Sequence, residues 1–259
     1  MKVALGVEYD GTRFSGWQVQ PSQITVQGCL ERALSLVANH PVKTVAAGRT
    51  DSGVHALQQV VHFETTVQRG ERNWILGLNT NLPSDINVTW ARPVDDDFSA
   101  RFSALNRSYR YVIMNRVSRS ALHANKMWWI FSPLDVELMQ AAADLLVGHH
   151  DFSAFRAKEC QAHSPVKTVE RIKVTRQGDC IAIDVKAQSF LHHMVRNLVG
   201  VLVPIGEGRK PVEWAKEVLE GRDRAHGGIT SPPDGLYFIK VEYPVQYNLP
   251  TVSAFPVVW

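Results

Sequence analysis

The chain opens on a nearly continuous apolar run, Val3-Ala4-Leu5-Gly6-Val7-Glu8-Tyr9, closed by the turn pair Asp10-Gly11. This pattern predicts a buried first strand. Gly11 to Thr25 is loop-like. From Val26 to Ala38 the apolar positions Val26, Cys29, Leu30, Ala33, Leu34 and Val37 recur at helical spacing. Val42 to Ala47 and Gln58 to Thr65 read as strands, connected through Gly48 to Ala56. Trp74 to Leu78 reads as a short helix and Ile86 to Ala91 as a further strand. The order β-α-β-β-α-β predicts a ferredoxin-like, split βαβ arrangement, an antiparallel sheet with its helices on one face.

The pattern restarts near Arg107. Ser108 to Met114 alternates as a strand does, and Asp135 to Leu146 puts Leu138, Ala141, Ala142, Leu145 and Leu146 on one side of a helix. Glu170 to Thr175 and Cys180 to Ala187, joined at Gln177-Gly178-Asp179, predict a β-hairpin. His192 to Pro204 and Val212 to Leu219 predict helices, and Gly235 to Tyr243 a closing strand. The expected fold class is therefore α+β, with mixed α/β elements and predominantly antiparallel sheets in two lobes, residues 1–105 and 106–259. The last nine residues, Thr251 to Trp259, carry no signal that can be read.

At 259 residues, 45% hydrophobic and 20% charged, the chain has the composition of an ordinary globular protein with a sizeable core. No uninterrupted apolar run reaches membrane-spanning length; Met194 to Ile205 is broken by Arg196, Asn197 and Pro204. The N-terminus turns polar too soon for a signal peptide. Cys29, Cys160 and Cys180 are widely spaced and odd in number, which argues against a disulfide framework or zinc ribbon and fits a reducing, cytoplasmic setting. The net charge of +3 says little, but its distribution says more. Phe98 to Leu134 holds no acidic residue. It carries Arg101, Arg107, Arg110, Arg116, Arg119 and Lys126, interleaved with Phe102, Tyr109, Tyr111, Trp128 and Trp129. Such a stretch suits a polyanion whose bases must stack, or else a solvated face over core aromatics.

The densest chemistry lies in Ala47-Gly48-Arg49-Thr50-Asp51-Ser52-Gly53-Val54-His55-Ala56, where two glycines flank a cation, a hydroxyl and a carboxylate between two strands. Glycines there allow tight turns and close approach to a ligand. Asp51 is placed to act on a molecule above the sheet, with Arg49 favouring its ionised form. The bland alternative is a polar turn with an Asx-type cap. In Phe190-Leu191-His192-His193-Met194-Val195-Arg196-Asn197, an apolar helix carries Arg196, whose burial demands an acceptor; Asp51 is a candidate. Neighbouring positions on a helix point about 100° apart. Neither His192-His193 nor His149-His150 is therefore expected to share a metal ion. Tyr109 and Tyr111 fall on one face of a strand, and Pro232-Pro233-Asp234-Gly235 turns into a strand that starts at Leu236.

Taken in order, these segments resemble the tRNA pseudouridine synthase A family over essentially the whole chain. The likeness includes Glu8-Tyr9-Asp10-Gly11-Thr12, Gly16-Trp17-Gln18, Gly48-Arg49-Thr50-Asp51-Ser52-Gly53-Val54-His55 and Asn81-Leu82-Pro83. It continues through Asp97-Phe98, Ala100-Arg101-Phe102, Tyr109-Arg110-Tyr111, His149-His150-Asp151-Phe152, Phe190 to Asn197 and Gly235-Leu236-Tyr237. The resemblance implies isomerisation of uridine to pseudouridine in the anticodon stem-loop of tRNA, at tRNA positions 38 to 40, by a dimer that uses neither metal nor cofactor. It implies a catalytic cleft between the lobes, with Asp51 as catalytic carboxylate and Tyr109 stacking on the target uracil. Arg196 would pair with Asp51, Arg49 would help displace the target base, and Leu236 would line the uracil pocket. Ser52 stands where alanine is also expected in relatives.

The chemistry agrees with these residues. The N1–C1′ bond must break and C5 must join C1′, and a carboxylate can attack the sugar or the ring, or assist a glycal route. A helical target must be flipped out, which calls for an aromatic platform. Two rival readings come from other classes. An aspartic protease needs a second carboxylate to share a proton with the Asp51-Ser52-Gly53 aspartate, and the chain has no second Asp-Ser/Thr-Gly. A non-catalytic RNA-binding protein would explain the basic, aromatic stretch but not a carboxylate in a loop that faces phosphates.

Overall fold

Lys2–Tyr9 forms β1, buried along nearly its whole length because strands flank it on both sides. It pairs antiparallel with β3 (His55–Glu64) and β4 (Ile86–Val94); the short β2 (Thr44–Ala46) pairs antiparallel with the other edge of β3. The resulting order β4-β1-β3-β2, with helices α1 (Val26–Ala38) and α2 (Glu71–Asn81), is that of the expected split βαβ unit. The computed structural model describes residues 1–250; the unread Thr251 to Trp259 lie outside the described residues.

Register explains the core of this unit. Val3 lies opposite Phe63 and Leu5 opposite Val61, so all four share a face. Trp74 of α2 meets Phe63 edge to face at 5.2 Å, which identifies that face as the one beneath the helices. Thr25 caps α1, its side chain accepting from the Gly28 amide at 3.3 Å, a contact worth about 1 kcal/mol. The two helices meet where Gly77 approaches Val37. The opposite face of the sheet carries His62, against which Phe98 packs at 5.9 Å; Tyr243 and Tyr247 pack on Phe98 in turn.

The second unit is also built on antiparallel pairs, β5 (Asn106–Asn115), β9 (Cys180–Ala187), β8 (Val166–Gln177) and β7 (Gly148–Asp151), in the order β5-β9-β8-β7. β6 (Trp128–Ile130) runs parallel to the end of β5. Arg110 lies opposite Asp184 in register, and the two form a bidentate pair at 2.7 and 2.9 Å. Helices α3 (Val136–Asp144), α4 (Met194–Gly206) and α5 (Trp214–Gly221) complete it. By its contacts the described chain divides into residues 1–105 with 237–250, and residues 106–236. The closing strand β10 (Leu236–Glu242) thus runs back to the first unit, where Tyr237 and Phe238 pair parallel with His55 and Ala56 of β3. Among the described residues no helix is long and apolar enough to cross a membrane.

Several elements differ from expectation. α4 starts at Met194 rather than His192, because His193 adopts a left-handed conformation, φ 61°, that no helix continues through. The two histidines therefore precede the helix, with ring centroids 4.0 Å apart, and the argument from helical angles does not apply to them. His149 and His150 lie on a strand, and their side chains point to opposite faces. His149 meets Thr168 and His150 meets the Val147 carbonyl.

Candidate active site

Arg49 and Asp51 belong to the connection from β2 to β3, with Arg49 exposed, Thr50 buried and Asp51 half-buried. That loop is held by the segment that follows β1. The buried Tyr9 hydroxyl meets Thr50 Oγ1 at 2.7 Å, and burial pushes the phenol well above its ordinary pKa, so it stays protonated. The Trp17 amide donates to the Thr50 carbonyl at 3.0 Å. Gly16 sits at φ +86° with its α-carbon turned toward the Thr50 carbonyl, so a side chain there would meet both left-handed strain and backbone 2.8 Å away. Gln59 on β3 closes the loop's base, donating to the Gly48 carbonyl at 2.7 Å. Gly11 donates to His55 Nδ1 at 3.0 Å. The Glu8-to-Gln18 segment and the Asp51 loop are thus one physical device, in which the first fixes the backbone of the second. Ser52, itself an exposed residue, donates from Oγ to the Phe14 carbonyl at 3.2 Å in a part-buried contact that alanine would forgo.

In the second unit, Tyr109, Arg196 and Leu236 are joined by a chain of clamps. Tyr109 is buried on β5, with the Phe190 ring edge-on at 5.0 Å. Two residues along the same face, Tyr111 is fully buried and its hydroxyl donates to the Pro232 carbonyl at 2.8 Å. Burial drives this phenol's pKa well up too, so it stays a donor. Arg196 grips the neighbouring residue twice: its Nε donates to the Ser231 carbonyl at 2.7 Å, and its own carbonyl accepts the Ser231 amide at 3.3 Å. The half-buried arginine thus has at least one acceptor within its own unit. One helical position further on, Asn197 donates to the Phe155 carbonyl at 2.8 Å and accepts from Thr230 at 2.7 Å. The irregular segment running to Pro232 is therefore pinned at Thr230, Ser231 and Pro232. A single turn at Pro233–Gly235 then delivers Leu236, 5% exposed, to the start of β10.

The sequence pattern did not single out Tyr9, Gln59, Ser231 or Pro232 as supports. Their partners lie far away along the chain, Tyr9 from Thr50 by 41 residues and Tyr111 from Pro232 by 121, beyond the reach of any periodicity. Of the aromatics in the acid-free stretch, Tyr109 and Tyr111 are core residues, whereas Phe102 is 79% and Trp129 41% exposed.

Comparison with known proteins shows the family. A family model described as tRNA pseudouridine synthase matches residues 6–103 and 142–244, which include Arg49, Asp51, Arg196 and Leu236. Tyr109 falls between the matched segments, but relatives align through it. The chain is 55% identical to "tRNA pseudouridine synthase A" of Nitrosococcus oceani, over 100% of both chains. It is 56% identical to the protein so named in Pseudoalteromonas atlantica, over 99% of this chain and 97% of that one. For Pseudomonas aeruginosa the identity is 53%, over 96% of this chain and 88% of the relative. With matches that run the full length and take in both clamped segments, the chain belongs to the tRNA pseudouridine synthase A family.

Proposed function

We propose that the protein isomerises uridine to pseudouridine in the anticodon stem-loop of tRNA, at tRNA positions 38 to 40, with Asp51 as the catalytic carboxylate. The observation that carries this reading is full-length family membership together with an aspartate on a loop whose backbone is fixed from several sides. The N1–C1′ bond breaks, the uracil turns, and C5 bonds to C1′. C5 gives up its hydrogen as a proton and N1 gains one, so the reaction is redox-neutral. A preorganised carboxylate suits it because only side chains that are already oriented stabilise the transition state without reorganising.

The other roles rest on the resemblance and on local geometry. Tyr109, held edge-on by Phe190, is the platform for the flipped base. Arg196 pairs with Asp51, Arg49 helps displace the base, and Leu236 lines the uracil pocket. In this division of labour residues 1–105 supply Asp51 and Arg49, and residues 106–259 supply Tyr109, Arg196 and Leu236. The enzyme acts as a cytoplasmic homodimer without metal or cofactor.

The test is a tRNA transcript tritiated at uridine C5, incubated with the protein in the absence of added metal. Forming the C5–C1′ bond expels the label. Asp51→Asn, similar in shape but a poor nucleophile, should bind the tRNA and release nothing. Single-turnover release by that variant would defeat the assignment. Absence of release from wild-type protein that binds the tRNA would favour the non-catalytic RNA-binding reading.

A further inference from the structure

Phe102 exposes 79% of its surface, yet it does not sit on a loosely held loop. The residue two before it, Ala100, has both backbone groups engaged. Its amide donates to His62 Nδ1 at 3.0 Å and its carbonyl accepts the Tyr243 hydroxyl at 2.6 Å. Phe98 is fully buried under His62, Tyr243 and Tyr247. The turn itself is laced by two serines: the Phe102 amide donates to Ser99 Oγ at 3.3 Å, and the Ser99 amide to Ser103 Oγ at 3.0 Å. The Arg101 guanidinium carbon lies 5.1 Å from the Phe102 ring centroid, within cation–π range.

A large apolar ring held rigidly in water, with a cation against it, has given up both burial and flexibility. The stability of the turn does not explain that, because the anchoring comes from Phe98 and Ala100 rather than from Phe102. An aromatic face paired with an arginine is the chemistry that binds an unstacked nucleobase. The acidic run Asp95-Asp96-Asp97 ends before the turn, and no acid follows until Asp135, which suits a polyanion.

We propose that the Phe102 ring, backed by Arg101, is a stacking platform for an unpaired base of the tRNA other than the target uridine. This rests on the reading of the protein as a tRNA-modifying enzyme. It adds a substrate contact on the first unit, separate from the Tyr109 platform.

The experiment measures dissociation constants for a full-length tRNA transcript with wild-type protein, Phe102→Ala, Phe102→Leu and Phe102→Trp, with melting temperature and sedimentation recorded for each. The expected result is about a 10-fold weakening for the alanine and leucine variants, the size of one base stack. Tryptophan should bind within about twofold of wild type. The alanine variant should keep the wild-type salt dependence, because no charge is removed. Melting temperatures should be unchanged, since the side chain is exposed. Wild-type affinity in Phe102→Ala would overturn the proposal. So would wild-type affinity in Phe102→Leu, which would show a generic apolar contact. A change of sedimentation in Phe102→Ala without RNA would make the ring a protein–protein contact and overturn it too. Tritium release by wild-type protein on the same tRNA separates the two readings. Phe102-dependent binding without release would support the platform while defeating the enzymatic assignment.

Discussion

Gly235 lets the turn that delivers Leu236 lie flat against β5. A β-carbon built at this position would stand 2.6 Å from the Val112 carbonyl oxygen and 2.8 Å from Tyr111 Cε1. Neither neighbour can yield easily. The carbonyl belongs to a strand paired in register with β9, and the ring is fixed through its hydroxyl to Pro232. Ordinary contact begins near 3.4 Å, so in Gly235→Ala the turn must retreat by about 0.8 Å (3.4 − 2.6). The backbone conformation is not at issue, because Gly235 is not among the positive-φ residues; the effect is steric. Overpacking of this kind costs about 1–3 kcal/mol. At about 2–4 °C per kcal/mol for a chain of this size, the melting temperature should fall by roughly 4–8 °C for a 2 kcal/mol loss. The retreat also carries Leu236 with it. On the proposed role of Leu236 as a wall of the uracil pocket, misplacing it by close to 1 Å should lower turnover by about 10- to 100-fold. The assays are thermal unfolding and tritium release at saturating tRNA. A variant that melts and reacts as wild type would show that the turn has room to move, and that the clamp from Tyr111 to Pro232 does not set the position of Leu236.

Gly221, at the end of α5, has nothing within 4 Å of where a β-carbon would stand and no positive φ, so Gly221→Ala should raise stability by about 0.5–1 kcal/mol in denaturant unfolding, through the unfolded chain's lost freedom and a better helix former. His62 accepts the Ala100 amide through Nδ1, and burial, followed by the charge of Lys2, holds its pKa below the ordinary 6.5 against a smaller opposing effect of Glu64. In the window below 6.5 the unfolded chain binds the proton first, so this group's stabilisation is complete above that pH and is lost as pH falls through the folded value; unfolding free energy measured from pH 7.5 to 5 should fall less steeply in His62→Gln than in wild type.

How much was legible in the sequence depended on whether a signal was local. α1 and β9 occupy the ranges their periodicity predicts, Val26–Ala38 and Cys180–Ala187, because α1 repeats its buried positions at helical spacing and β9 alternates buried with partly buried positions throughout. β6 and β7 went unread because strands of three and four residues are too short to show a period. They are strands because β5 and β8 offer them edges. The start of α4 was misplaced because apolar spacing runs back through Leu191, while the left-handed turn at His193 leaves no mark in composition. The Asp51 loop was visible because its glycines, cation and carboxylate are adjacent in sequence. The bonds that hold it were not, since Tyr9, Trp17 and Gln59 meet it only after the sheet has formed.

The interleaved aromatics show the same limit most sharply. In the sequence Phe102, Tyr109 and Tyr111 are equivalent members of one basic, acid-free run. Pairing of β5 with β9 sinks Tyr109 and Tyr111 into a sheet face, at 8% and 0% exposure, where they can act only within a pocket or as support. Phe102, seven residues before Tyr109, lies beyond the strand on a turn whose anchor residues are already satisfied, and its ring stays in water. Burial, which composition cannot report, therefore divides one apparent RNA-stacking stretch into two kinds of residue. Any aromatic contact with RNA outside the target pocket must come from the exposed kind.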